Sequence, residues 1–200
     1  HALGKNLIGA FYQPKLVWIE LGTLQTLPHR EFLAGAAEVV KYGAILSEPF
    51  MKLLEDQWDD LTSHDTTMLT NVVAMCCNLK AQIVVADELE IGRRAILNFG
   101  HTIGHALEAA TAFQHYLHGE AVLAGMVLAV HLAVSLSVLT SFEARRMLNL
   151  FARVGLKSAP ADLSPEPVIA ALQQDKKRVG ETLVFILPVG LGQVRSFEDV

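Results

Sequence analysis

The chain has 200 residues, 52% of them apolar, which is enough to bury the core of one domain with or without the remnant of another. A formal net charge of -5 and a pI near 5.9 argue against a nucleic-acid-binding surface. The two cysteines, Cys76 and Cys77, are adjacent, so they suit neither a structural disulfide nor a metal motif. We interpret them as buried packing residues of a protein in a reducing compartment, the cytoplasm.

The opening segment is typical of the end of an α/β unit. Glycines spaced for turns precede a strand-like run at residues 16–19 and a second turn at 21–23. The Gly-Lys-Asn triplet at residues 4–6 can bind an anion, although such residues commonly do no more than form a turn. The sequence starts with His1 rather than Met and lacks earlier strands, so we interpret it as a piece of a longer polypeptide.

Helical periodicity dominates the remainder of the chain. It predicts helices over residues 30–46, 52–59, 67–85, 94–108, 121–139, 141–154 and 165–174. A charged loop over 175–180 and a terminal hairpin from residue 182 onward follow them. The predicted fold class is therefore mainly α, a multi-helix domain with short β segments near both ends.

Residues 121–139 form a run of nineteen without a formal charge, which reaches the length of a transmembrane helix. Polar residues inside the run, and a histidine motif at its start, favour the buried central helix of a helical domain instead. We therefore predict no membrane span. On this interpretation His131 is a core histidine whose hydrogen bonds are satisfied.

A polar stripe follows the predicted helix over residues 94–108. Its members are spaced by three or four residues and so share one helical face: Arg94, Asn98, His101, His105 and Glu108. Such a stripe is often only a solvated surface. A further histidine, His118, stands directly before the uncharged run, where a buried imidazole needs a partner, and this favours a metal or catalytic site.

The first long helix offers a carboxylate for such a site. Glu38 and Lys41 lie one turn apart, and pairs of this kind are commonly surface ion pairs. Their apolar neighbours indicate instead that this face of the helix is covered. Two imidazoles and a carboxylate are the donors of a catalytic zinc site, and Glu38, His101 and His118 can supply them. Spacing alone does not choose this set over the other members of the stripe.

Four motifs together resemble a known family. They are GKNLIGAF at residues 4–11, AEVVKYG at 37–43, LNFGHTIGHA at 97–106 and HGEAV at 118–122. These motifs resemble those of 3-dehydroquinate synthase, an enzyme of the shikimate pathway, and the similarity extends over essentially the whole chain. The resemblance implies that residues 1–26 are the tail of a nucleotide-binding domain that precedes this sequence. Residues 27–200 are then the helical metal- and substrate-binding domain.

The resemblance also implies roles for individual residues. The implied ligands of zinc, or of cobalt, are Glu38, His101 and His118. The implied NAD contacts are Lys5, Thr23, Leu24, Gln25 and Thr26. The implied phosphate contacts are Asn6, Asn98 and one of Lys176 and Lys177. The resemblance also implies that Lys80 and Arg94 bind the substrate carboxylate and that Lys41 contacts the substrate hydroxyls. It places His105 beside the reacting carbon. Arginine suits a carboxylate because it binds bidentately, and lysine suits phosphate as a point charge.

The reaction implied by the resemblance converts 3-deoxy-D-arabino-heptulosonate 7-phosphate to 3-dehydroquinate and phosphate. Oxidation by NAD precedes elimination of phosphate, reduction and ring closure. The family also implies a homodimer, and the chain alone is expected neither to bind NAD tightly nor to turn over substrate. The alternatives are a related sugar-phosphate cyclase, against which Lys80 and Arg94 argue, a metal-dependent polyol dehydrogenase, and a non-catalytic metal-binding or dimerisation module.

Overall fold

The computed structural model describes residues 12–89, 92–155, 157, 159–161, 163–179 and 182–198, and the side chains of residues 174–179 lie outside that description. Its α-helices are α1 (His29–Leu46), α2 (Glu48–Asp56), α3 (Trp58–Thr62), α4 (Thr66–Ala86), α5 (His101–Ala110), α6 (His118–Ser135), α7 (Ser141–Val154) and α8 (Pro165–Val179). Two 3₁₀ helices, Leu21–Thr26 and Arg93–Asn98, and an antiparallel hairpin of β1 (Val184–Gly190) and β2 (Gln193–Glu198) complete the described elements. The mainly helical fold class is confirmed.

Helix α6 is the central element of the fold. It contacts α1, α5, α7 and β1, and most of its side chains between Ala121 and Ala133 are buried. Within the described residues, α4 and α6 are long and apolar enough to cross a membrane, judged by length and composition alone. Of the apolar 18-residue stretch in each helix, 22% is buried in α4 and 50% in α6. The elements packed around α6 identify it as the core helix of this domain. His131 is exposed, so its prediction as a core histidine is wrong, because that position of α6 turns away from the covering elements.

Local capping explains where several helices begin and end. Helix α7 matches its predicted bounds because Thr140 and Glu143 form a capping box and Gly155, with φ of 91°, ends it. Helix α2 begins before the predicted position because the Ser47 side chain accepts a hydrogen bond from the amide of Phe50. The predicted segment 52–59 is accordingly divided between α2 and α3.

The single helix predicted over residues 94–108 is wrong. A 3₁₀ helix ends at Asn98, and α5 begins at His101. Phe99 between them is fully buried, and Gly100 has a φ of 80°. A left-handed residue interrupts helical geometry, and only glycine adopts it without strain. The break places His101 at the start of a new helix rather than in the middle of one.

Three smaller predictions also differ from the structure. Residues 16–19 are irregular because a strand needs a partner, and the described part of the chain offers none there. Residues 175–179, predicted as a charged loop, continue α8. Cys76 packs against the core as predicted, but Cys77 is exposed because it faces the outer side of α4. The C-terminal hairpin is confirmed.

Substitution of Gly119 by alanine is expected to destabilise the fold by about 1 to 3 kcal/mol or more. Gly119 lies where α6 meets α1, and a Cβ there would overlap the carbonyl oxygen of Ala34. Urea unfolding measures the effect. Gly35→Ala is the matched control, because Gly35 is exposed on α1 with open space around it, and alanine should stabilise that helix by about 0.5 to 1 kcal/mol. Equal urea midpoints for Gly119→Ala and the wild type would contradict this account of the α1–α6 contact.

Candidate metal centre

Three helices bring the candidate metal ligands together. Glu38 lies in the middle of α1, His101 is the first residue of α5, and His118 is the first residue of α6. Helix α6 packs against both α1 and α5, so the two helix starts face the middle of α1. The ligand atoms of the three side chains all lie within 4.8 Å of one another. The site is therefore assembled by helix packing between residues distant in sequence.

The two oxygens of the Glu38 carboxylate have different surroundings. Oε2 lies 2.6 Å from Nζ of Lys41, whose side chain is only 4% exposed. Oε1 lies 3.6 Å from Nε2 of His101 and 3.9 Å from Nε2 of His118. This Oε1 is buried and accepts no hydrogen bond in the described part of the chain. Because an unpartnered buried carboxylate oxygen is costly, the arrangement suits a cation between Glu38 and the two imidazoles.

Each imidazole has its other nitrogen occupied. Nδ1 of His101 lies 3.2 Å from the carbonyl oxygen of Phe99, which can only accept a hydrogen bond. Nδ1 of His118 lies 3.3 Å from Oε1 of Glu108. In both rings Nδ1 can therefore donate, which leaves a lone pair on Nε2, the nitrogen that lies 3.6 Å (His101) or 3.9 Å (His118) from Oε1 of Glu38. This is the arrangement by which proteins orient histidine ligands of metals.

The charges of the site suit metal binding near neutral pH. Burial lowers the pKa of His101 to about 4, with a further contribution from the Lys41 ammonium, so the ring is neutral. Burial acts to raise the pKa of Glu38, but the charge of Lys41 and its hydrogen bond outweigh burial and hold that pKa below its usual range. Burial also lowers the pKa of Lys41, and Glu38 opposes this shift. Two imidazole nitrogens and a carboxylate oxygen therefore fit a divalent metal such as zinc.

Three other predicted site residues lie on α5, on α4 and on the 3₁₀ helix before α5. The ring of His105 lies 5.5 Å from that of His101 and 5.8 Å from that of His118, between ring centroids, and the residue is exposed. Lys80 is exposed on α4, and its charge contributes to the lowered pKa of Lys41. Asn98 is exposed at the end of the 3₁₀ helix that precedes α5.

Arg94 is positioned by the segment that follows α4. Its backbone amide donates to Oδ2 of Asp87 over 2.8 Å, and its Nη1 donates to the carbonyl oxygen of Glu88 over 3.2 Å. Oδ2 of Asp87 also accepts from the amide of Gly92, so one buried carboxylate holds this turn. Arg94 thus lies on the element that leads to His101.

The other predicted site residues belong to other elements or fall outside the residues that the structure describes. The 3₁₀ helix at Leu21–Thr26 contains Thr23, Leu24, Gln25 and Thr26. This helix contacts α4, and Leu24 packs against the core. Lys176 and Lys177 belong to α8, and their side chains are among those not described. Lys5 and Asn6 lie outside the described residues.

Sequence reasoning missed an ion pair that supports the start of α6. Arg30 Nε lies 2.6 Å from Oε1 of Glu120, and its Nη2 lies 2.7 Å from Oε2. Oε2 of Glu120 also accepts from the amide of Leu117 over 2.9 Å, which caps α6 next to His118. Arg30 and Glu120 are 90 residues apart, so no local spacing indicates their contact. The only signal in the sequence was the position of Glu120 within the HGEAV motif.

This ion pair predicts an acid-sensitive contribution to stability. Burial acts to raise the pKa of Glu120, but hydrogen bonds from Arg30 and Leu117 outweigh it and lower the pKa from its ordinary 4.5. The contribution is therefore fully present above pH 4.5 and is lost as the pH falls through the folded-state pKa. Glu120→Gln should remove it, as measured by urea unfolding at neutral pH and near pH 4. The control is Glu31→Gln, which alters an exposed residue of α1. If the free energy of unfolding of Glu120→Gln depended on pH as that of the wild type does, the assignment would be refuted.

Solved structures of related shape include two synthases that hold NAD+ and a metal ion. One is 2-epi-5-epi-valiolone synthase from Streptomyces hygroscopicus subsp. jinggangensis, with NAD+ and Zn2+ bound, at a TM-score of 0.87 and 27% identity over 98% of this chain and 55% of that chain. Another is 2-deoxy-scyllo-inosose synthase, complexed with carbaglucose-6-phosphate, NAD+ and Co2+, at a TM-score of 0.85 and 28% identity over 97% of this chain and 54% of that chain. The fold is therefore that of the sugar-phosphate cyclases.

Sequence comparisons narrow this class. Residues 35–178 match the model of the 3-dehydroquinate synthase C-terminal region, and residues 1–34 match that of the N-terminal region. The 3-dehydroquinate synthases of Desulforamulus reducens and Colwellia psychrerythraea are 48% and 44% identical over all of this chain. The chain spans 56% and 57% of those relatives, a little more than half of their length. It belongs to the 3-dehydroquinate synthase family.

Proposed function

We propose that the protein containing this chain is a 3-dehydroquinate synthase, which converts 3-deoxy-D-arabino-heptulosonate 7-phosphate to 3-dehydroquinate and phosphate. In this proposal it uses NAD and one divalent metal ion, Zn2+ or Co2+, held by Glu38, His101 and His118. The observation that carries the proposal concerns Oε1 of Glu38, which is buried near two imidazole Nε2 atoms and accepts no hydrogen bond from the residues that the structure describes. NAD+ together with Zn2+ or Co2+ in the two structural relatives supports the same cofactors here.

The chain's own residues would prepare the site for the reaction. When bound, the metal would polarise an alcohol oxygen of the substrate while NAD accepts a hydride. Lys41 holds Oε2 of Glu38, which leaves Oε1 for the metal. In this proposal Lys41 also contacts substrate hydroxyls. We assign proton transfer at the reacting carbon to His105, because its ring contacts both ligand imidazoles and remains exposed.

Substrate and cofactor contacts follow the same proposal. Lys80 and Arg94 would hold the substrate carboxylate, and the elements that carry them, α4 and the 3₁₀ helix before α5, pack together. Phosphate would be held by Asn98 with Asn6 and one of Lys176 and Lys177. NAD would be contacted by Lys5 and residues 23–26, with residues 1–26 the tail of a nucleotide-binding domain and residues 27–200 the second domain. We also propose a cytoplasmic homodimer.

A related sugar-phosphate cyclase is the second candidate, because the two structural relatives described above are 2-epi-5-epi-valiolone synthase and 2-deoxy-scyllo-inosose synthase. Identities of 44–48% to 3-dehydroquinate synthases, against 27–28% to those cyclases, favour the first candidate. A substrate panel on the purified full-length protein distinguishes them. We expect phosphate release and dehydroquinate formation from the carboxylated heptulosonate phosphate. Preference for glucose 6-phosphate, or for a heptulose phosphate without the carboxylate, would support the cyclase, and metal binding without turnover would support a non-catalytic module.

A further inference from the structure

We infer that Glu108 is a positioning residue for the metal centre, which holds the imidazole of His118 in the tautomer and orientation that direct Nε2 toward Glu38. The inference deepens the proposed function and rests on its metal site. Its basis is the 3.3 Å contact between Oε1 of Glu108 and Nδ1 of His118. No role for Glu108 follows from the ligand set itself, since Glu38 supplies the carboxylate there.

Glu108 is a rigid and buried acceptor. It lies near the end of α5, two helical turns after His101, and its side chain is only 5% exposed. Its neighbours Ala106 and Leu107 are buried as well. A carboxylate is rarely buried without a partner that offsets its desolvation, and the imidazole N–H of His118 is such a partner. Because the helix fixes the carboxylate, the hydrogen bond fixes the ring that donates to it.

His118 needs this support more than His101 does. The side chain of His101 is 14% exposed, so packing and the carbonyl oxygen of Phe99 define its orientation. The side chain of His118 is 46% exposed and belongs to the first residue of α6, where no preceding helical turn packs against it. A ring with that much solvent around it can rotate and exchange tautomers unless a hydrogen bond selects one state. Glu108 makes that selection.

The alternative role for Glu108 is direct metal ligation. His105, Glu108 and His118 also have ligand atoms within 4.8 Å of one another. A metal in that position would leave the buried Oε1 of Glu38 without a partner and would compete for the nitrogen of His118 that faces Glu108. A metal beside Glu38 would use the Nε2 atoms of His101 and His118 and would preserve the contact between Nδ1 of His118 and Glu108. The geometry therefore favours positioning over ligation.

Zinc affinity of the full-length protein separates the two roles, measured by competition with a chelator. Glu108→Ala should weaken zinc binding by about 10- to 100-fold, the usual effect of removing a hydrogen-bond partner behind a histidine ligand. Glu108→Gln preserves shape and still accepts from Nδ1, so it should retain affinity within about 10-fold of the wild type. His105→Ala should weaken zinc binding less than Glu108→Ala does, because His105 packs beside the ligand rings whereas Glu108 is the hydrogen-bond partner of Nδ1 of His118. Loss of zinc in both Glu108→Gln and His105→Ala would overturn the inference in favour of ligation.

A second measurement tests the contact without metal. Nitrogen-15 spectra of the histidines in zinc-free protein report the tautomer of each ring, and His118→Ala assigns the His118 signals. We expect the Nδ1–H tautomer of His118 in the wild type and in Glu108→Gln, and a mixture in Glu108→Ala. An unchanged tautomer and unchanged zinc affinity in Glu108→Ala would overturn the inference. Failure of the wild type to bind zinc would refute the proposed metal site, whereas these spectra would still decide whether Glu108 orients His118.

Discussion

Replacing Glu38 by glutamine is expected to lower the zinc affinity of the full-length protein by more than about 100-fold, beyond the range typical of changes outside the ligand set. The substitution removes the negative charge and puts an amide where the metal needs a carboxylate oxygen. It also replaces the charged 2.6 Å partner of the buried Lys41 ammonium with a neutral amide oxygen. Titration with zinc against a chelator, with metal content measured after dialysis, gives the affinity and the stoichiometry.

The control for this experiment is Glu31→Gln, which makes the same chemical change at an exposed position of the same helix. It should bind zinc as the wild type does. Circular dichroism of both variants separates loss of a ligand from loss of the fold. If Glu38→Gln retained one zinc per chain at wild-type affinity, Glu38 would not be a ligand and the proposed centre would be wrong.

Replacing Arg94 by alanine in the full-length enzyme is expected to weaken substrate binding by about 2 to 5 kcal/mol, or roughly 30- to 4,000-fold. In the proposed complex the guanidinium pairs with the substrate carboxylate, and its loss leaves that carboxylate buried without a partner. The hydrogen bonds of Arg94 to Asp87 and Glu88 place it on the segment before α5. Equilibrium binding of the substrate to enzyme loaded with NAD measures the change.

Arg93→Ala is the matched control, because Arg93 is the adjacent arginine and is exposed. It should weaken binding far less than Arg94→Ala. A substrate analogue without the carboxylate should bind the wild type and Arg94→Ala equally. If Arg94→Ala weakened that analogue as much as the true substrate, Arg94 would act on the fold of the segment rather than on the carboxylate.

The helices with strong local signals were predictable from the sequence. Helix α7 has a capping box at one end and a glycine at the other, so its bounds follow from local chemistry. Residue types alone made Glu38, His101 and His118 candidates, but their convergence depends on how α1, α5 and α6 pack, which periodicity does not encode. Family resemblance, rather than periodicity, selected this set from the members of the polar stripe.

The features that sequence reasoning missed depend on contacts between distant residues. Helical spacing placed Arg94 and His101 on one helix, because the pattern of three and four contains no information on the φ of Gly100. Glu108 stood in the stripe, but its burial against His118 follows from the packing of α5 on α6. The pairing of Arg30 with Glu120 had no periodic signal at all, since the two residues lie on different helices.

The most direct test of the proposed centre is anomalous diffraction at the zinc absorption edge from crystals of the full-length protein grown with zinc. We predict one strong peak between Oε1 of Glu38 and the Nε2 atoms of His101 and His118, with each ligand atom at about 2.0 to 2.2 Å. Glu108 should remain hydrogen-bonded to Nδ1 of His118 and outside the ligand set. A peak bound by Glu108 and His105, or no peak within reach of Glu38 in crystals that contain zinc elsewhere, would contradict the account.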